Sequence, residues 1–139
     1  MSEYEPYDYI LDAWALLAHF GNEDGGKRVK EVLKLAEQKE ASIGLSLINL
    51  GEIAYITERE RGLILVHATL SHIYSLPLSI LPVDEHVVLT AAHLKANYRL
   101  SYADAIAAAT AKLRNAKLLT GDPELKALDG KEIKVEWLL

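Results

Sequence analysis

The chain has 139 residues, half of them hydrophobic and a quarter charged, which suits one folded domain with a real core and excludes a disordered chain. A formal net charge of −5 excludes nucleic-acid binding by bulk electrostatics alone, and the lack of cysteine excludes disulfides, thiolate metal sites and thiol nucleophiles. No apolar run is long enough for a membrane span, and the acidic start MSEYEPYDYI lacks the basic-then-apolar order of a signal peptide, so the expected location is the cytoplasm.

Residues 8–11, DYIL, read as a short strand that meets Asp12 and then AWALLAHF, where apolar residues recur at helical spacing. GNEDGG is a loop, and KRVKEVLKLAEQKE is an amphipathic helix with Val29, Val32, Leu33 and Ala36 on one face. ASIGL reads as a second strand, after which Ser46 caps a helix running through Glu52 to about Arg59. Residues 62–75, GLILVHATLSHIYS, form a helix more apolar than one buried face requires. LSILPV is strand-like, Asp84 caps EHVVLTAAHLKANY, and Ser101 opens an alanine-rich helix to Asn115. AKLLT is a strand that leads to Gly121 and Asp122, with Pro123 at the first position of a short helix, and KEIKVEWLL closes the chain as an alternating strand. Strands separated by helical segments predict a parallel sheet flanked by helices, over a single domain spanning 1–139.

Four carboxylates interrupt stretches that are otherwise apolar, small-residue or turn-like: Asp12, Glu52, Asp104 and Asp122. Parallel α/β sheets bind ligands at the carboxyl ends of their strands, and Asp12 and Asp122 both stand where a strand gives way to a helix. Glu52, with Ile48, Tyr55 and Ile56 on its side, and Asp104, with Leu100, Ala107, Ala108 and Ala111 on its side, are expected on inward helix faces. Each acid also has a plainer use. Asp12 and Asp122 can cap helices, Ser101 and Asp104 fit a capping box, and Glu52 can pair with an arginine. Taken together, three or four carboxylates at short range cannot all stay ionised without a cation, and oxygen-only ligands select hard ions such as Mg²⁺ or Mn²⁺. Such a site suits phosphoryl chemistry.

The segments LDAWALLA, NLGEIAY, LPVDEHVVLTAAHL, LSYADAIAAATA and LLTGDPEL stand in the order and spacing of a known family. The chain resembles the PIN domain over nearly its full length, and most closely the VapC-type toxins of toxin–antitoxin pairs. That resemblance implies a three-layer α/β/α fold with a central, mainly parallel sheet of about four to five strands. It also implies a metal-dependent endoribonuclease that leaves a 5′-phosphate and a 3′-hydroxyl. The family's acidic quartet then falls on Asp12, Glu52, Asp104 and Asp122. Thr120 matches the hydroxyl residue that supports the first acid and a metal-bound water. A homodimer and a cognate antitoxin, whose tail lies near the acidic pocket, are the implied partners. The chain departs from the pattern at Trp14, where many members carry Ser or Thr. A different reading is a catalytically weak binding module of the same fold that works through protein contacts.

Other features carry less. GNEDGGKR lacks the hydroxyl residue of a phosphate-binding loop, follows a helix and carries two acids that repel phosphate. The five histidines show no i,i+4 pair, which argues against a zinc site. Lys27, Arg28, Arg59, Arg61, Arg99 and Arg114 are the cations considered for RNA recognition, each with an ordinary solvated charge as the plainer reading. The apolar helix after Gly62 is either an interface or a central helix wrapped on both sides.

Overall fold

Five parallel strands in the order β3-β2-β1-β4-β5 organise the computed structural model, which describes residues 4–139; the first three residues of the acidic start lie outside the described residues. The strands are β1 (Tyr9–Leu11), β2 (Ile43–Ser46), β3 (Ser79–Leu81), β4 (Lys117–Thr120) and β5 (Lys134–Trp137). Side chains alternate across a strand, and here both faces are apolar. Ile10 and Leu118 enter one core, and Leu11 and Leu119 enter the other.

The first core is closed by α5 (Glu85–Asn97) and α6 (Tyr102–Leu113), with Leu94, Ile106 and the Ala105 to Ala109 run buried against the sheet. Alanine in that run lets the helix lie close to the strands. The second is closed by α1 (Ala13–Phe20), α2 (Gly26–Glu37), α3 (Leu47–Arg61) and α4 (Leu63–Ser75), through Leu16, Val29, Val32, Leu50, Ile53 and Ile73. The result is the expected three-layer α/β/α arrangement, with a wholly parallel sheet. Among the described residues no helix is long and apolar enough to cross a membrane.

Most elements fall where expected, with ends set by local chemistry. The strand expected over 78–83 stops at Leu81, because Pro82 has no N–H for the ladder. The closing strand is confined to Lys134–Trp137, and the helix after Ser101 ends at Leu113, with Asn115 in left-handed backbone (φ 53°) at the turn. Gly62, at φ 89°, divides α3 from α4, a conformation that side chains with a Cβ disfavour. Helix α4 is not wrapped on both sides. Val66 and Ile73 are buried while Leu63, Ile64 and Tyr74 are exposed, so its surplus apolar surface faces outward.

The strand order places the site. From β1 the chain winds outward through β2 and β3, then returns to the other side of β1 with β4 and β5. The order therefore reverses between β1 and β4, and the loops leaving those two strands part there to open a crevice at their carboxyl ends.

Candidate active site

Asp12 follows the last residue of β1 and caps α1, its Oδ1 accepting a hydrogen bond from the Ala15 N–H at 2.9 Å. Its other oxygen accepts from the Thr120 hydroxyl at the end of β4. Thr120 Oγ1 in turn accepts from the Asp122 N–H at 3.0 Å, so one hydroxyl ties the exits of β1 and β4 together. Both residues are fully enclosed: Asp12 is 2% exposed and Thr120 is 0% exposed. Burial pushes the Asp12 carboxyl up to about 7, against the pull of its Thr120 and Ala15 hydrogen bonds and with smaller upward pushes from the Asp122 and Glu52 charges.

Asp122 caps the 3₁₀ turn Pro123–Ala127 by accepting from the Glu124 N–H at 3.0 Å. Asp104 lies in the first turn of α6, where its N–H donates to Ser101 Oγ at 3.1 Å. The reciprocal half of that capping box is absent: the Ser101 N–H donates to Glu124 Oε2 at 3.4 Å. Asp104 keeps its carboxylate for the crevice. Burial raises its pKa most, followed by the hydrogen bond with Glu124 and the Asp122 and Asp12 charges, while Glu124 is lowered mainly by that same bond. The two carboxyls share one hydrogen bond, and burial disfavours full ionisation on the Asp104 side.

Glu52 enters from α3, held by the Asn49 amide, which donates to Glu52 Oε1 at 3.2 Å and to the Ala103 carbonyl at 3.3 Å. Asn49 Oδ1 accepts from the Ser46 hydroxyl at 2.8 Å, so a buried polar chain anchors α3 beside α6. The Glu52 carboxyl is raised by burial first, with Asn49 lowering and Asp122 raising it. The inward face expected around Glu52 is corrected. Ile48 and Tyr55 are exposed and Ile56 is half-buried, whereas Asn49, Leu50, Ile53 and Thr57 point into the protein. At 3.6 residues per turn Glu52 falls on the flank of that buried stripe, at the lip of the crevice. The face around Asp104 is buried as expected, through Leu100, Ala107, Ala108 and Ala111.

Carboxylate oxygens of Asp104, Asp122 and Glu124 lie within 4.8 Å of one another, and Asp12 and Glu52 stand close enough to raise or be raised by the others. Glu124 is the member the sequence reading missed. It joins the cluster through the meeting of the 3₁₀ turn with α6, which no spacing in the sequence marks. Among the described residues none of these five acids makes a salt bridge, so the arginine partner considered for Glu52 is absent. Uncompensated, all-oxygen donors at this spacing fit a hard divalent cation.

Trp14 takes the place where a hydroxyl was expected, two residues after Asp12. A Cβ built on Gly121 would come within 2.3 Å of the Trp14 ring, and one on Gly25 within 2.6 Å. The indole therefore lies directly against two glycine backbones, one of them the residue between Thr120 and Asp122. Only glycine admits that approach.

A parallel sheet with a carboxylate-lined crevice at its switch point defines the class, and comparison with known proteins gives the family. The PIN domain family model matches residues 9–131, and the chain belongs to that family. No curated protein gives a significant match. Among solved structures the chain is similar to VapBC2 from Rickettsia felis bound to a DNA fragment from its promoter, with TM-score 0.72 and 20% identity over 92% of this chain and 96% of that one. It is also similar to a toxin–antitoxin complex from Klebsiella pneumoniae, with TM-score 0.68 and 20% identity over 95% and 98% of the two chains. VapC20 from Mycobacterium tuberculosis, a sarcin-ricin loop cleaving toxin, matches with TM-score 0.68 and 18% identity over 91% and 98%. At these identities the likeness is one of fold.

Proposed function

We propose that the chain, as one domain over 1–139, is a divalent-metal-dependent endoribonuclease and the toxin of a toxin–antitoxin pair, acting in the cytoplasm. The observation that carries this reading is the convergence of Asp12, Glu52, Asp104 and Asp122 from four separate elements with no basic partner among the described residues. Membership of the PIN family and the toxins among the similar structures support it.

In this reading Asp12, Glu52, Asp104 and Asp122 hold Mg²⁺ or Mn²⁺, and Glu124 joins them. The metal supplies charge stabilisation at the phosphate and a water acidic enough to attack it. The protein's own part is positional. Thr120 orients the Asp12 carboxylate and pins the Asp122 backbone, Asn49 aims Glu52, and Ser101 and Glu124 hold Asp104 at the mouth. The charge that burial and its neighbours disfavour on Asp104 would be compensated by a cation held here.

The exposed apolar residues Leu47, Ile48 and Tyr55 on α3 and Leu63, Ile64 and Tyr74 on α4 favour a homodimer and an antitoxin contact over a free surface. They would serve a non-catalytic binding module equally well, and metal binding separates the two readings. The test is incubation of the purified protein with RNA pools, with and without Mg²⁺ or Mn²⁺, and mapping of the cut ends. Metal-dependent cuts that carry a 5′-phosphate support the enzyme; intact RNA at every metal concentration leaves the module.

A further inference from the structure

A cavity of about 530 Å³ opens at the amino ends of β1, β4 and β5, the edge of the sheet opposite the acids. Four lysines line it, Lys112, Lys117, Lys131 and Lys134, together with two acids, Asp8 and Glu132. In a chain of net charge −5 this is a locally positive hollow.

The acids offset only part of this charge. Asp8 Oδ2 accepts from the Ser42 N–H and hydroxyl, at the start of the neighbouring strand. Glu132 accepts from Lys112 with one oxygen and from the Tyr98 hydroxyl with the other. Lys117, Lys131 and Lys134 make no ion pair among the described residues, and Lys117 and Lys134 are direct register partners on β4 and β5. Adjacent strands stand about 4.8 Å apart, so two like charges are set side by side at a cost to stability unless an anion joins them. The backbone N–H groups of Asn115, Ala116, Gly130, Lys131, Glu132 and Ile133 are all bonded internally, which leaves side chains as the donors.

We propose that this pocket binds phosphate groups, and that in the nuclease reading, on which this second step rests, it holds the RNA strand outside the acidic crevice. The crevice repels phosphates except where a cation sits, so the strand needs an anchor elsewhere. Strand β4 carries Lys117 at one end and Thr120 at the other, a separation of about 10 Å at a rise of 3.3 Å per residue. That line runs through the buried sheet, so a bound strand joins the two ends by passing around the edge strand β5. Three of the arginines noted in the sequence are already engaged: Arg28 is bound by Glu136 and Glu31, Arg59 lies over the Tyr55 ring, and Arg114 is held against Tyr4 and Tyr7.

The test uses full-length protein carrying Asp104→Asn, so that RNA is not cut, with and without Lys117→Gln, Lys131→Gln and Lys134→Gln together. Fluorescence anisotropy with a single-stranded RNA should show at least a tenfold loss of affinity in the lysine variant. The slope of log affinity against log salt should fall by about two, since each single-strand phosphate contact accounts for roughly 0.7. Inorganic pyrophosphate should displace the RNA and raise the melting temperature only while the lysines are present. RNA affinity and salt slope unchanged by the triple substitution would overturn the RNA anchor, and an absent pyrophosphate response would overturn the phosphate pocket. Lysine-dependent binding of RNA that the wild-type protein never cuts would count against the nuclease reading and leave the pocket standing.

Discussion

The two ends of one short sheet carry charge in opposite ways. At the carboxyl end, buried Asp12 and Asp104 stand beside half-buried Glu52 and Asp122, held by hydrogen bonds that orient them without neutralising them; at the amino end, lysines stand in an open hollow where water screens their repulsion. Elsewhere opposite charges are simply matched, as where Arg28 bridges Glu136 at 2.7 Å across α2 and β5. Unmatched charge costs far more when dry than when wet. At the acid end the metal-free protein therefore meets the cost by keeping protons that a cation would replace, and the lysine end tolerates its ligand's absence.

The largest effect should come from removing charge at the acid end. Asp12→Asn or Asp104→Asn keeps the shape and loses a ligand, so cleavage should fall at least about a thousandfold, roughly 4 kcal/mol of barrier. Above about pH 7 metal-free Asp12→Asn should melt no lower than wild type, because there it removes a disfavoured charge. Near-normal cleavage by folded Asp12→Asn would leave that acid a helix cap, and near-normal cleavage by folded Asp104→Asn would remove it from the site.

The pH dependence of stability sharpens the contrast. With Asp12 raised to about 7, the metal-free native state keeps a proton that the unfolded chain loses near pH 4. The Asp12 contribution to stability should then fall as pH rises from about 4 to about 7 and level off above, by at most about 4 kcal/mol, while Asp104, raised to about 9, extends the decline to higher pH. Urea unfolding across that range should show the decline, and Asp12→Asn should remove this group's share of it while leaving the share of Asp104 and Glu52. Saturating Mn²⁺ should reverse it above pH 6, since the ion competes with the proton.

Packing at the acid end gives a smaller effect. Trp14→Ala empties the slot between Gly25 and Gly121 and should cost about 2–3 kcal/mol for this half-buried ring. Divalent affinity should weaken with it, since Gly121 carries the turn to Asp122. Unchanged affinity would make the indole mere core. The smallest effect belongs to the lysine end, where Lys117→Gln should raise stability by a few tenths of a kcal/mol in phosphate-free buffer, measurable by differential scanning calorimetry.

Much of this was legible in the sequence because it is written in local pattern. Ser46, Asp84 and Ser101 mark helix starts by the hydrogen bonds they accept, and each does so here. The four acids stood out because each breaks an apolar or turn-like run. What stayed hidden depends on rotation and on distance in the chain. Glu52 lies on the flank of α3 rather than inward, a turn of the helix that its apolar neighbours Ile48 and Tyr55 concealed because they face solvent. Glu124 reaches Asp104 only because a 3₁₀ turn meets α6, and Lys117 meets Lys134 only through the register of β4 and β5. The fit of Trp14 against Gly25 and Gly121 likewise joins three segments that no spacing relates.

The central claim, that Asp12, Glu52, Asp104 and Asp122 serve one cation site, is met most directly by calorimetric titration of metal-free protein with Mn²⁺. Wild type should bind with proton release at pH 6.5, and Asp12→Asn, Glu52→Gln, Asp104→Asn and Asp122→Asn should each weaken binding at least tenfold. Binding of equal strength in wild type and all four variants, or no binding in wild type, would contradict it.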